Sequence, residues 1–267
     1  MWTCGLLKHN AKQALSGRYW MCTAVCLIAG LFGASSVFSD LSGQFQYTQS
    51  LVQDFMTPDV WTGNNDGYSL YGIWEFLVQS GIVFAIFVGM IIGLIIGTVY
   101  GAFVSGPLSV GLCRYMMESR QGGAPFGTMF GIFRSPYLNV VKVLFLTNLK
   151  IALGSLLIVP GIYWSFTYRM VPYLLAENPY LTTTRAMELS RQMMDGEKFH
   201  SFLLDLSFLG WELLCLVTFG FGQIFLVAYL EATYAELYAA LRTKALAYGY
   251  SDESELGGFV RHNMSRA

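Results

Sequence analysis

The stretch FLVQSGIVFAIFVGMIIGLIIGTVYGAFVSGPLSVGLC, residues 76–113, contains no charged side chain; Glu75 precedes it and Arg114 ends it. Basic residues are missing for longer still, with none between Arg18 and Arg114. Helices in soluble domains average about 10–14 residues, whereas a bilayer core asks for about 20 consecutive apolar ones. The run is therefore read as a transmembrane helix over 73–105. At about 1.5 Å per residue that helix is roughly 50 Å long, more than the roughly 30 Å of hydrocarbon, so it must tilt, protrude or bend. Gly106-Pro107 is expected to end or kink it, because proline has no N–H to donate and its ring crowds the preceding turn.

The rest of the chain reads in the same solvent. Of its 267 residues 54% are hydrophobic and 12% charged, half the roughly 25% charge of a soluble domain. The predicted fold is all-α: a polytopic transmembrane helical bundle forming one membrane domain over 1–267. Six spans are expected, at 19–38, 73–105, 137–159, 162–178, 199–219 and 223–241. Lys8, Lys12 and Arg18 make the amphipathic segment 1–18 basic, whereas the loop 39–72 carries Asp40, Asp54, Asp59 and Asp66 without a Lys or Arg. Arg114, Arg120 and Arg134 follow the second span, and Arg242, Lys244, Arg261 and Arg266 fill the tail 242–267. Because short basic loops stay inside, both termini are expected in the cytoplasm and 39–72 outside. Pro160-Gly161 is expected to form a tight outer turn, and 162–178, which contains Pro172, to be broken or only partly inserted. Over 180–198, Thr182 to Thr184 cap a helix, Gly196 stops it, and Ala186, Met187, Met193 and Met194 supply an apolar stripe; an interfacial cytoplasmic helix is predicted. The last hairpin turns at Gly220-Phe221-Gly222.

Other chemistries find little support. Ala34-Ser35-Ser36 resembles a signal cleavage site, but the apolar run before it is long for a signal peptide, and retention as a span is expected. Asn64-Asn65-Asp66-Gly67 lacks the alternating acids and closing Glu of a calcium loop and reads as a turn. Cys4, Cys22, Cys26, Cys113 and Cys215 avoid the external loop and are expected to pack as free thiols. His9, His200 and His262 have no ligand spacing, so neither a metal nor another cofactor is expected. No nucleophile elbow, Walker loop or zinc-protease motif is present, and the chain is read as non-enzymatic. A net charge of -1 without a basic aromatic tract argues against nucleic acid.

Two features remain for mechanism. Gly81, Ala85, Gly89, Gly93, Gly97, Gly101 and Ser105 place a small residue at every fourth position of the second helix. Such a row lets two backbones approach, within one subunit, between two copies, or against another membrane protein. The second feature is charge inside the later spans. Lys142, Asp205 and Glu236 lie at similar shallow depth from the cytoplasmic ends, Lys150, Glu212 and Glu231 lie deeper, and Arg169 falls between. A charge at a span's centre costs about 2.5–3.5 kcal/mol on insertion scales, so these groups are expected to face one another. Lys150, Asp205, Glu212 and Glu231 are the candidate cluster, either as an ion, proton or substrate path or as paired locks.

Three ordered motifs carry a resemblance. They are Gly106-Pro107-Leu108-Ser109-Val110-Gly111-Leu112 with Arg114-Tyr115, then Leu156-Leu157-Ile158-Val159-Pro160-Gly161-Ile162 continuing to Tyr173-Leu174-Leu175-Ala176-Glu177-Asn178-Pro179. The third is Ser190 to Met194 and Gly196, followed by Leu204-Asp205-Leu206-Ser207-Phe208-Leu209-Gly210-Trp211. Across roughly residues 5–245 the chain resembles the uncharacterised bacterial integral-membrane family known as domain of unknown function 975. The resemblance implies a multi-pass protein of the bacterial cytoplasmic membrane, with the lipid bilayer as its partner, and implies no reaction. It places Asp205 in a shared motif and leaves Lys150 and Arg169 outside what the family shares. The expected role is structural or accessory; a small transporter or channel for an ion, proton or lipid is the alternative.

Overall fold

The computed structural model describes residues 2–33, 82–134, 136–157, 159–217 and 221–259. Outside them lie the loop 39–72 with Asn64-Asn65-Asp66-Gly67, the Ala34-Ser35-Ser36 site, the start of the second helix with Gly81, Gly220, and the terminal Arg261, His262 and Arg266. All described elements are helical. The chain divides into two compact units, residues 42–101 and residues 1–41 with 102–267.

In the smaller unit the described part is α1 (Ile82–Tyr100) followed by Gly101. Phe84, Phe87, Met90, Leu94 and Ile96 are all exposed on it. Apolar groups on every side of a helix have no aqueous counterpart to face and suit a hydrocarbon solvent.

The larger unit begins with α2 (Cys4–Leu15), capped by Thr3, whose hydroxyl accepts the Leu6 N–H at 3.3 Å. Gly17, at a positive φ of 77°, turns the chain by 100° into α3 (Tyr19–Leu31). Past the first unit, a π-helical turn over Gly101–Ser105 leads into α4 (Gly106–Arg120). Gly106-Pro107 therefore does not stop the helix as expected. Proline's missing N–H is harmless in a first turn, and a π-bulge next to it absorbs the local misfit. The segment after the proline is helical and packs into the core: Leu108, Val110, Leu112, Tyr115, Met116 and Met117 are buried. A 3₁₀ helix, Phe126–Phe133, packs against it.

Next come α5 (Tyr137–Ser155) and α6 (Val159–Thr167). Pro160-Gly161 sits in the first turn of α6 and not at the corner; a Cβ on Gly161 would lie 2.5 Å from the Ser155 Cα, so glycine permits the close return. The arm then breaks before α7 (Val171–Glu177), where Pro172 falls in a first turn. Nine and seven residues are each too short to cross a bilayer. The stripe expected to rest on the membrane turns inward in α8 (Thr183–Met193): Ala186, Leu189, Ser190 and Met193 are buried against α5, α7 and the last helix. A buried protein groove satisfies those side chains more completely than a half-wet interface.

The hairpin closes with α9 (Lys198–Val217) and α10 (Phe221–Ala247), which continues beyond the expected end at 241. α10 is the axis of the unit and touches α2, α3, α4, α8 and α9. Among the described residues three helices are long and apolar enough to cross a membrane: Phe87–Arg120, Tyr137–Ser155 and Gly222–Ala247. The bent pair α2–α3 raises the number to four if it forms one span. The expectation of six therefore falls to three or four, because α6–α7 is interrupted and α9 carries Lys198, Asp205 and Glu212.

Candidate functional site

Every third or fourth residue of a helix shares a face. On α10 that places Glu231, Tyr234, Tyr238 and Arg242 in one row, and each meets charge from elsewhere. At the level of Tyr234, Arg169 from the α6–α7 break grips Asp205 of α9 with both terminal nitrogens, at 2.8 and 3.0 Å. The Tyr234 hydroxyl donates to the same carboxylate at 3.0 Å, and its ring lies 4.4 Å from the guanidinium. The bidentate fork fixes angle as well as distance, which a lysine could not do. Glu231 is partly buried and lies in the field of Arg169, with no hydrogen bond among the described residues.

One turn or more along, Arg242 donates to Glu177 at 2.8 Å, Tyr238 adds its hydroxyl at 2.6 Å, and the Gly258 N–H a third bond at 2.6 Å. The Glu177 side chain has no exposed surface. On another face of α10, Glu236 accepts Arg120 of α4 at 2.5 and 3.0 Å. Beyond α10, Arg185 of α8 holds Glu255 through two bonds of 2.7 Å and the Tyr250 carbonyl at 2.8 Å, pinning the segment after α10. That pairing keeps the Glu255 carboxyl below its ordinary range. Lys244 completes this end by donating to Glu197 at 3.0 Å.

Of the four-residue cluster read from depth, the structure draws Asp205 and Glu231 toward one guanidinium. Lys150 goes elsewhere, its ammonium resting 5.0 Å from the Tyr168 ring and 5.8 Å from Trp164. Glu212 and Lys142 are exposed. Glu236 takes Arg120 as its partner, not the lysine at matched depth. Glu177, Tyr234 and Tyr238 were not singled out from the sequence, although the row from 231 to 242 at helical spacing was there to be seen.

The small-residue row is described from Ala85 onward. A Cβ at Gly89, Gly93, Gly97 or Gly101 meets no described atom within 4 Å, while Ser105 donates its hydroxyl to the Gly33 carbonyl at the end of α3. The five cysteines are free thiols, four of them buried. No group of three or more His, Cys, Asp or Glu among the described residues is placed to hold a metal ion.

These helices define an all-α protein with spans apolar enough for a membrane and an ion-paired end on its core helices. The chain belongs to the family described as Protein of unknown function (DUF975), which matches residues 85–245. No curated protein and no solved structure matches it.

Proposed function

We propose that this is a non-enzymatic, structural or accessory protein of the bacterial cytoplasmic membrane, whose buried charges hold helices in register. The observation that carries the reading is Asp205: both its oxygens are engaged, by the two Arg169 nitrogens and by Tyr234. Three of the carboxylate's roughly four lone-pair sites are thereby occupied, and the bidentate fork holds the side chain in one orientation, which suits a lock between helices better than a mobile stepping stone. Three cavities of the larger unit have their walls, among the described residues, from side chains other than Lys150, Asp205, Glu212 and Glu231. Basic residues near both ends of the chain support a cytoplasmic location for them.

A small transporter or channel is the second reading, favoured by Glu231, an ionisable group inside a candidate span without a hydrogen bond among the described residues. One experiment separates the two: flux of protons, common cations and lipids in proteoliposomes, comparing the unaltered protein with Asp205→Asn and Glu231→Gln. Under the structural reading no flux exceeds that of empty vesicles, and Asp205→Asn lowers only stability. A flux carried by the unaltered protein and lost in either variant at normal folded yield would overturn it.

A further inference from the structure

Between α2 and the α9–α10 hairpin lies a groove of about 820 Å³, near the upper end of the roughly 300–1,000 Å³ typical of small-ligand sites. Its two sides differ in chemistry. Lys8, His9 and Lys12 of α2 form one rim, and no Asp or Glu lines the groove among the described residues. The opposite walls are apolar and aromatic: Trp211 and Leu214 from α9, with Phe225, Leu226 and Tyr229 from α10.

The two ammonium groups keep most of their capacity. Lys8 gives one bond, 3.2 Å to the Ser207 carbonyl, and lies 4.0 Å over the Phe208 ring. Among the described residues Lys12 meets the Tyr229 ring alone, at 5.8 Å. An ammonium has three protons to donate, and neither lysine has a carboxylate partner among the described residues. This contrasts with Arg120, Arg185, Arg242 and Lys244 of the same unit, each matched to an acid. Lys8 and Lys12 thus bring two unmatched positive charges to one rim of the groove.

We propose that the groove binds one phospholipid of the surrounding bilayer, of anionic headgroup, with its phosphate at Lys8 and Lys12 and an acyl chain against Phe225, Leu226 and Trp211. Charge complementarity selects the headgroup, because two cations without acids beside them attract an anion and gain little from a zwitterion. The apolar walls select an amphiphile over a free phosphate, which would leave them wet. α2 is suited to supply the rim: Leu7, Ala11 and Leu15 bury one face while Lys8 and Lys12 stay on its flank, as in a helix lying at a headgroup layer. The inference rests on the membrane reading above and adds a specific ligand to it.

The test is native mass spectrometry of the full chain released from detergent after incubation with equal phosphatidylglycerol and phosphatidylcholine. The expected result is retention of one phosphatidylglycerol in preference to phosphatidylcholine, weakened about fivefold for each lysine replaced in Lys8→Gln and Lys12→Gln. Lys142→Gln, an exposed lysine on α5, should change nothing. Because Lys8 also ties α2 to α9, Lys12→Gln is the variant that decides, and Leu226→Trp, which fills the groove, should remove the bound lipid whatever its headgroup. Equal retention of both lipids, retention unaffected by Lys12→Gln, or displacement by inorganic phosphate alone would overturn the proposal. Resistance of the protein to extraction from membranes at alkaline pH is scored in parallel. If it resists while lipid selectivity is absent, the groove proposal alone has failed; if it washes off, the membrane reading has failed with it.

Discussion

Replacing Glu177 by alanine should be among the most damaging single changes in the larger unit. The carboxylate has no exposed surface and accepts from Arg242, Tyr238 and the Gly258 N–H at 2.8, 2.6 and 2.6 Å. Without it, Arg242 retains only the Leu256 carbonyl at 2.8 Å, and the fully buried Tyr238 hydroxyl loses its acceptor. Breaking a buried pair from one side costs about 3–5 kcal/mol, and an orphaned buried hydroxyl about 1–3 more, although effects within one network do not add. A total of about 4 kcal/mol is expected, which for a chain of this size lowers the melting temperature by roughly 8–16 °C. The assay is thermal unfolding in mild detergent, followed by circular dichroism, on Glu177→Ala, Arg242→Met and the pair Glu177→Ala with Arg242→Met. The double variant should recover much of the loss, because what hurts is the unpaired charge and not the absent bond. A loss below about 1 kcal/mol in Glu177→Ala, or a double variant in which the two single effects simply sum, would refute the reasoning.

The same logic applies to Arg169: Asp205→Ala should destabilise, while Arg169→Met combined with Asp205→Leu should melt close to the unaltered protein, as read by the same unfolding curves. Glu255 supplies a pH test. Its bonds to Arg185 hold its pKa below the ordinary 4.5, so the folded chain binds that proton less readily than the unfolded one. The stability it contributes is complete above 4.5 and fades as pH falls through the lower folded value. Residues 250–258 should accordingly lose hydrogen-exchange protection on acidification, with the transition absent in Arg185→Met. Gly111→Ala places a methyl on the Met129 carbonyl oxygen, a backbone atom with nowhere to go, and should cost about 2–3 kcal/mol or more. Gly97→Ala meets no described atom and should cost less, or gain up to about 1 kcal/mol from helix propensity; comparing their folded yields checks the contrast.

Much of the candidate site was legible one residue at a time and hidden as a set. Asp205 and Glu231 stand out as charges in apolar surroundings, and depth along the chain brings them near one level. Depth does not say which helices are neighbours. Glu236 was matched by depth to Lys142, yet α4 lies beside α10, so Arg120 reaches it first. Glu177 stood within a motif but was given no role of its own, because it sits at a helix end next to Asn178-Pro179, where a carboxylate ordinarily meets water. It is buried only because the segment after α10 folds back over it and presents the Gly258 N–H.

Read alone, the sequence determined the class of secondary structure and supplied runs apolar enough to cross a membrane. An uncharged run as long as 76–113 must be helical if hydrocarbon surrounds it, since every peptide group then needs an internal partner. That conclusion is local and needs no neighbours. The tertiary structure decided which apolar stripes face protein and which face outward, turned α8 into the core, carried the helix through Gly106-Pro107, and left three or four candidate spans among the described residues where six were expected. It also left Lys8 and Lys12 without acids above an apolar groove. These outcomes depend on contacts between residues far apart in the chain, and a periodicity or a charge count carries no information about which distant helix will arrive beside it.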